Sequence, residues 1–447
     1  MNNPLLKMSD LPPFDLIRAE HVEPALDALL GKARATIEAL IQSDQIHDWD
    51  SLMAPLESIQ DELNQVWSPV SHMNAVVNSE ALRAAYTACL PKLTEFHTDL
   101  GQNEALYRAV RQVADSADAL DEAQRAVLEH ALRDFHLSGV DLPPDKKQRY
   151  KSVLQELSAL QSEFQDNVLD ATGAWRKHLT DPDSLAGLPE SAMSAARQEA
   201  ERKGLDGWLL TLDFPCYSPV MSYAEDPELR REIYQAFVTR ASELGPDAGL
   251  YDNTELMERI LSLRHEAAQL LGFDNYAERS LATKMAADPS QVLAFLDDLA
   301  IRSRPQAERE FGELTEFAER LAGVERLNAW DVSYYAEKLR LHRYEISQEA
   351  LRPYFPENRV VPGLFSVVER LYGVTIKPRT GMAVWHPDVR FYDVLDRDGA
   401  VRAHCYVDLY ARAHKRGGAW MADFRGRRKL AGGSQTPVAY ITCNFTP

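Results

Sequence analysis

Twelve histidines raise the question of a metal centre before any other chemistry. A helical zinc site needs two imidazoles four residues apart, so that both rings project from one face. No His-x-x-x-His pair occurs in the 447 residues. The nearest approach is "HEAAQ", where His265 is followed by Gln269 at the position of a second ligand. Glutamine is a poor zinc ligand, so this stretch reads as helix surface. His130 and Asp134 are also four apart, but two ligands without a third read as solvated side chains. His404 and His414 flank the last long β-rich run and could line a cleft; beside Lys415 and Arg416 they read as polar surface. Tyr392, Tyr406, Tyr410 and Tyr440 carry hydroxyls that could stabilise an oxyanion. In strands, tyrosines serve more often as packing residues with one wet end. There is no G-x-S-x-G, P-loop or G-x-G-x-x-G. Gly417-Gly418 and Gly432-Gly433 are isolated pairs and read as turns. The residues alone therefore supply no complete catalytic constellation.

The elements that would position these groups are mostly helical. Val22, Leu26, Leu29, Ala33, Ile37 and Leu40 recur at helical spacing. A long helix opens at Pro143 with Leu154, Leu157, Leu160 and Phe164 as its stripe. Asp288-Pro289 is a helix start, Asp as cap and Pro in the first turn, and Pro305 should kink or end the helix it opens. "LTDPDSLAGLPES", 179–191, reads as a loop. After Gly373 the texture changes, with two β-rich runs about Asp398-Gly399 signalling a hairpin. "GGAWMADF" and "PVAYITCNF" add strand candidates. The last of these, 437–445, is apolar on both faces and should be buried in a sheet.

Length calls for two or three domains of ~150 residues. Lys plus Arg is 49 and Asp plus Glu is 68, a net charge of −19 that argues against nucleic acid and anionic membranes as partners. No run approaches the ~18 apolar residues of a membrane span, and the N-terminus lacks a signal pattern. Cys89, Cys216, Cys405 and Cys443 are far apart with no C-x-x-C, so the cytoplasm is the simplest compartment.

Five further stretches carry a family resemblance along the whole chain: "LPPFDLIRAEHVEPAL", "SHMNAVVNSEALRAAYTACLPKLTEF", "PVMSYAEDPELRREIYQAFVTRASELGP", "LLGFDNYAERSLATKMA" and "YYAEKLRLHRYEISQEALRPYFPENRVVPGLF". With "YVDLYARAHKRGGAWMADF" and "TPVAYITCNF" they resemble the oligopeptidase A branch of the thimet oligopeptidase family of zinc metallopeptidases. The resemblance implies a mainly α, neurolysin- and thimet-oligopeptidase-like fold: two helical lobes about a deep channel, with a small β-sheet near the C-terminus. The loop at 179–191 and the fresh helical patterning after Pro227 divide the chain into a helical domain over 1–180, a linker over 181–225 and, by the resemblance, part of a metallopeptidase domain over 226–447, helical to 373 with a hairpin and strands over 375–445.

In that family the last strand leads to a helix with H-E-x-x-H, whose histidines bind zinc and whose Glu activates water. Nothing of that helix precedes Pro447. The catalytic residues are thus expected beyond Pro447, with no zinc bound by this chain and no activity from it alone. The substrates implied are short unstructured peptides, held by an edge strand. Gly418, Ala419 and Trp420, or the neighbouring Val438–Phe445, are the candidates, since small residues let a peptide backbone come close. A glycine turn with Ala and Trp as packing is the plainer reading. A non-catalytic helical scaffold for peptides or a partner is the alternative function.

Overall fold

The computed structural model describes residues 3–8, 10–42, 46–116, 120–430 and 432–446, so Pro447 lies outside the described residues. Six helices come first: α1 (Ala19–Ile41), α2 (Ala54–Val76), α3 (Glu80–Gly101), α4 (Glu104–Asp115), α5 (Glu122–Leu137) and α6 (Pro144–Ala174). Strand β1 (Arg176–Leu179) pairs antiparallel with β2 (Trp208–Thr211), with α7 (Glu190–Arg202) between them. Then follow α8 (Phe214–Tyr223), α9 (Pro227–Val238), α10 (Thr254–Leu270), α11 (Tyr276–Leu281), α12 (Pro289–Ala322), α13 (Ala329–Tyr344), α14 (Gln348–Leu351) and α15 (Glu357–Tyr372). The chain closes with β3 (Thr375–Pro378), β4 (Arg390–Leu395), β5 (Val401–Tyr410), β6 (Trp420–Arg425), β7 (Arg428–Leu430), β8 (Gly433–Gln435) and β9 (Val438–Phe445). The fold is mainly α with a small C-terminal β-sheet.

The apolar stripes do what their spacing predicts. Val22, Leu26, Leu29, Ala33 and Ile37 of α1 are buried, and Leu40 packs at the margin of the same core. On α6, Leu157 is buried beside Ile260 and Leu263 of α10, with Leu154, Leu160 and Phe164 around them. Asp288 caps α12 by accepting from the Gln291 N–H at 2.8 Å. The helix does not end at Pro305: it runs on to Ala322 and stops at Gly323, which takes a left-handed φ of 69°. Proline removes one N–H from the ladder. In a helix of 34 residues the remaining bonds on either side carry it through.

The 179–191 stretch begins at the end of β1, contains a short 3₁₀ turn at Pro182–Leu185 and runs into α7. Leu185 and Leu188 of this stretch join Trp208, Leu210, Val220, Leu229 and Ile233 in a separate buried cluster. A buried ion pair ties this region to α13. Arg230 donates to Asp331 Oδ1 at 2.7 Å and to the Ala224 carbonyl at 2.6 Å, and its guanidinium lies 4.2 Å from the Tyr334 ring centre.

The main sheet has the order β3-β4-β5-β9-β6, antiparallel except for the parallel pair β5 and β9. The β4–β5 hairpin turns at 396–400, where Gly399 takes a φ of 80° and donates to the Asp396 carbonyl. One face of the sheet packs on the first helices. Phe391, Tyr406, Phe424, Val438 and Tyr440 share a single core with Phe14, Val66 and Val70. The other face is thinner. Val361 and Phe365 of α15 cover Tyr392, Val407 and Leu409, but Ile441 is 38% and Phe445 39% exposed. Strand 437–445 does lie inside the sheet, with Val438, Tyr440 and Thr442 buried on one face and Ile441 and Phe445 partly exposed on the other.

Candidate functional site

The sheet ends at β6, which pairs with β9 on one side only. Helix α2 runs beside its outer edge and takes two of its carbonyls. Ser68 Oγ donates to Asp423 O at 2.7 Å, and Asn64 Nδ2 donates to Phe424 O at 3.1 Å. Backbone groups alternate along an antiparallel strand, so every second residue of Trp420–Ala422 turns its N–H and C=O outward, and among the described residues no hydrogen bond is made to those outward groups. The open edge thus spans the start of β6 and its approach. Such an edge is a template for pairing with an extended chain.

The approach loop is held in place from beneath. Asn444 of β9 donates to the carbonyls of Arg416 and Gly418, at 3.0 and 2.6 Å. The Arg416 N–H donates to the Ala75 carbonyl at 2.8 Å, pinning the loop to the end of α2. The Arg416 guanidinium lies 4.2 Å from the Trp420 ring centre. Gly418 has a φ of 95°, which L side chains rarely adopt, and the space where a Cβ would stand is open.

A buried carboxylate organises this loop. Asp408 on β5 is inaccessible to solvent. It accepts from Trp385 Nε1 at 2.8 Å, from both terminal nitrogens of Arg412 at 2.7 Å, and from Lys415 Nζ at 2.8 Å. Lys415 also donates to the Tyr410 carbonyl at 2.7 Å, and Arg412 to the Val76 carbonyl at 3.0 Å. Burial pushes the Asp408 carboxyl up, but these donors outweigh it and bring it down to about 2. Burial lowers Lys415, against the opposing pull of Asp408. His72 of α2 stacks on Tyr440 with ring centres 4.0 Å apart and meets Trp385 edge-on at 4.2 Å. Burial depresses its pKa to about 3; Asp408 pulls it up, and Arg412, Lys415 and Arg416 push it down.

Gly418 and Ala419 lie in the exposed approach loop, and the partly buried Trp420 is the first residue of β6. Val438–Phe445 is an internal strand, flanked by β5 and β6, so as an alternative peptide-binding edge it is corrected: both its backbone edges are already paired. His265 is exposed on α10, and Gln269 donates to the Asp274 carbonyl at 2.9 Å. His130 and Asp134 are exposed on α5. His404 is not polar surface: it is buried, with Nδ1 2.7 Å from Asp393 Oδ1. His414 is exposed with a φ of 61°, and its carbonyl accepts from the Asn78 N–H. Tyr406 and Tyr440 have no wet end; both are fully buried, and Phe14, Trp385 and Phe391 crowd Tyr406. Sequence reasoning missed Asp408 and His72. The one available signal was an acidic residue inside the apolar run "CYVDLY".

Zinc is the metal the resemblance implies. Among the described residues no group of three or more His, Cys, Asp or Glu is placed to hold a metal ion. The described residues therefore offer no ligand set that fits zinc. No helix among the described residues is long and apolar enough to cross a membrane.

Known proteins match this sequence along its length. Residues 220–447 match the model of peptidase family M3, and residues 26–147 match the neurolysin/thimet oligopeptidase N-terminal domain. Oligopeptidase A of Salmonella typhimurium and that of Escherichia coli are each 52% identical over 100% of this chain. A dipeptidyl carboxypeptidase of Salmonella typhimurium is 31% identical over 99% of it. The chain spans 66% of the length of the two oligopeptidase A relatives and 65% of the dipeptidyl carboxypeptidase. The M3 match covers half of the chain, the helices from α9 onward together with the whole main sheet, so the chain belongs to peptidase family M3.

Proposed function

We propose that residues 1–447 supply the peptide-holding wall of an oligopeptidase-A-like, zinc-dependent peptidase. The observation that carries this reading is the unpaired start of β6, with Gly418 and Ala419 leading into Trp420 in the open. A short unstructured peptide would add there as a strand, held mainly through its backbone, so binding would tolerate many sequences. Gly418 leaves room for that backbone. Trp420, steadied by Arg416, would flank it.

The names of the relatives support short peptides as substrates. Zinc and the general base are assigned to residues other than these 447, which hold no H-E-x-x-H. The reading keeps the cytoplasm as the compartment. It also keeps a two-lobed division, supported by the separation of the core around α1–α3 from the cluster around Trp208 and Ile233. In that division the sheet's inner face belongs with the first lobe.

A polypeptide of these 447 residues, titrated with a fluorogenic short peptide in the presence of zinc, tests the assignment. The expected result is saturable binding by fluorescence anisotropy with hydrolysis no faster than background. Zinc-dependent turnover that a chelator abolishes would overturn the assignment of chemistry elsewhere. Absence of binding would overturn the peptide-holding role.

A further inference from the structure

Helices α2, α3, α5, α6, α10 and α11 surround a cavity of about 540 Å³, a volume in the range of small-molecule sites. None of Gly418 to Ala422 lines it. Its apolar wall is made by Leu63, Trp67, Leu90, Leu93, Leu154 and Leu157. Among the described residues, Arg279 is the one permanently charged side chain that lines it.

Arg279, like Arg264 over the same Tyr276 ring, has a buried Nε without a partner, but of the two only Arg279 lines the cavity. Its Nη2 donates to the Tyr150 hydroxyl at 3.2 Å, and that hydroxyl donates to the Leu137 carbonyl at 3.0 Å. Its guanidinium lies 5.9 Å from the Tyr276 ring centre. Its Nε is buried with no hydrogen-bond partner, and among the described residues no carboxylate pairs with it. Three other arginines on or facing α6 have a carboxylate: Arg149 with Glu266, Arg259 with Glu156, and Arg83 with Asp170. A chain with 68 acidic and 49 basic residues has carboxylates to spare. Burial lowers the pKa of the neighbouring His97, so that ring is neutral and does not compete as a cation.

A planar guanidinium with free donors beside an apolar cavity is built to take a carboxylate. We infer that this cavity is a second binding site, for a ligand that joins a carboxylate to an apolar tail. Arg279 takes the carboxylate, and the leucines with Trp67 take the tail. The Tyr150 hydroxyl is committed to the Leu137 carbonyl and orients the guanidinium instead of contacting the anion. Such a ligand is either the free C-terminal end of a short apolar peptide or a medium-chain fatty acid. The inference does not depend on the peptidase reading.

Titration calorimetry on the 447-residue chain tests it with three probes: N-acetyl-leucyl-leucine, the C-terminal amide of that dipeptide, and decanoate. At least one of the two acids should bind, and which one does identifies the source. If the dipeptide acid is that ligand, its amide should bind about tenfold to a hundredfold more weakly, the effect of losing a hydrogen bond between charged groups. Arg279→Gln should weaken the binding acid by a similar factor. Leu157→Phe, which narrows the cavity and leaves Arg279 in place, should weaken it too and serves as the arbiter if the first variant misfolds. Failure of both acids to bind at millimolar concentration would overturn the inference. So would equal binding of dipeptide acid and amide, or an unchanged affinity in a folded Arg279→Gln or Leu157→Phe variant.

Discussion

Asp408→Ala should destabilise the protein by about 3–5 kcal/mol, the range for breaking a buried ion pair by removing one partner. Four donors converge on this carboxylate, from Trp385, Arg412 and Lys415. Lys415 is itself 4% exposed. Without Asp408 its ammonium retains only backbone carbonyls as partners, while Arg412 loses its fork. Because these residues carry the loop from β5 to β6 onto α2, the damage should spread from the sheet to the first helices. The sign of the pH dependence follows from the depressed carboxyl: the contribution is fully present above the usual 3.8 and is lost as pH falls through about 2. Urea unfolding followed by tryptophan fluorescence should show the midpoint fall at pH 7. A second change, Lys415→Met, should return part of the loss, since it removes the cation left behind. A loss below about 1 kcal/mol would place Asp408 among ordinary surface pairs and contradict this account of the loop.

His72 should make the protein acid-sensitive well above the range where carboxylates titrate. Its folded pKa of about 3 lies below the usual 6.5 because burial against Tyr440 and Trp385 disfavours the cation. Between those values the unfolded chain binds a proton that the folded chain refuses. Stability is therefore complete above 6.5 and declines as pH falls toward 3. At pH 5 the decline from this residue alone should reach about 2 kcal/mol. His72→Phe keeps an aromatic ring in the stack and cannot titrate. The wild type should thus lose about 2 kcal/mol more than the variant between pH 7 and pH 5. Parallel pH profiles for the two proteins would show that His72 is protonated in the folded state.

How much of this was legible in the sequence depends on how local the signal was. The stripe from Val22 to Ile37 and the cap at Asp288 were legible because each is set within one helix or one turn. So was the hairpin about Asp398-Gly399, where a glycine with a φ of 80° closes the turn. The two four-residue strands β1 and β2 were not, because neither "RKHL" nor "WLLT" alternates and their pairing spans about thirty positions. The Asp408 cluster was only half legible. An acidic residue in an apolar strand signals a buried partner, yet nothing local says that Arg412 also reaches Val76, 336 residues away. The edge itself followed the same rule. Small residues at Gly417 to Ala419 hinted at a close approach, but the sheet order alone decides that β6 is outermost and β9 internal.

In the function proposed for this chain, the open start of β6 takes a peptide as an added strand. Amide hydrogen exchange of the 447-residue chain, with and without a saturating short unstructured peptide, tests it most directly. Bound peptide should slow exchange at the outward-facing amides within 418–422 and leave the edge covered by α2, at Asp423 and Phe424, unchanged. The same peptide with N-methylated backbone amides should give no slowing there, since it lacks the N–H donors of a strand. Saturating binding with no slowing at 418–422 would contradict the account.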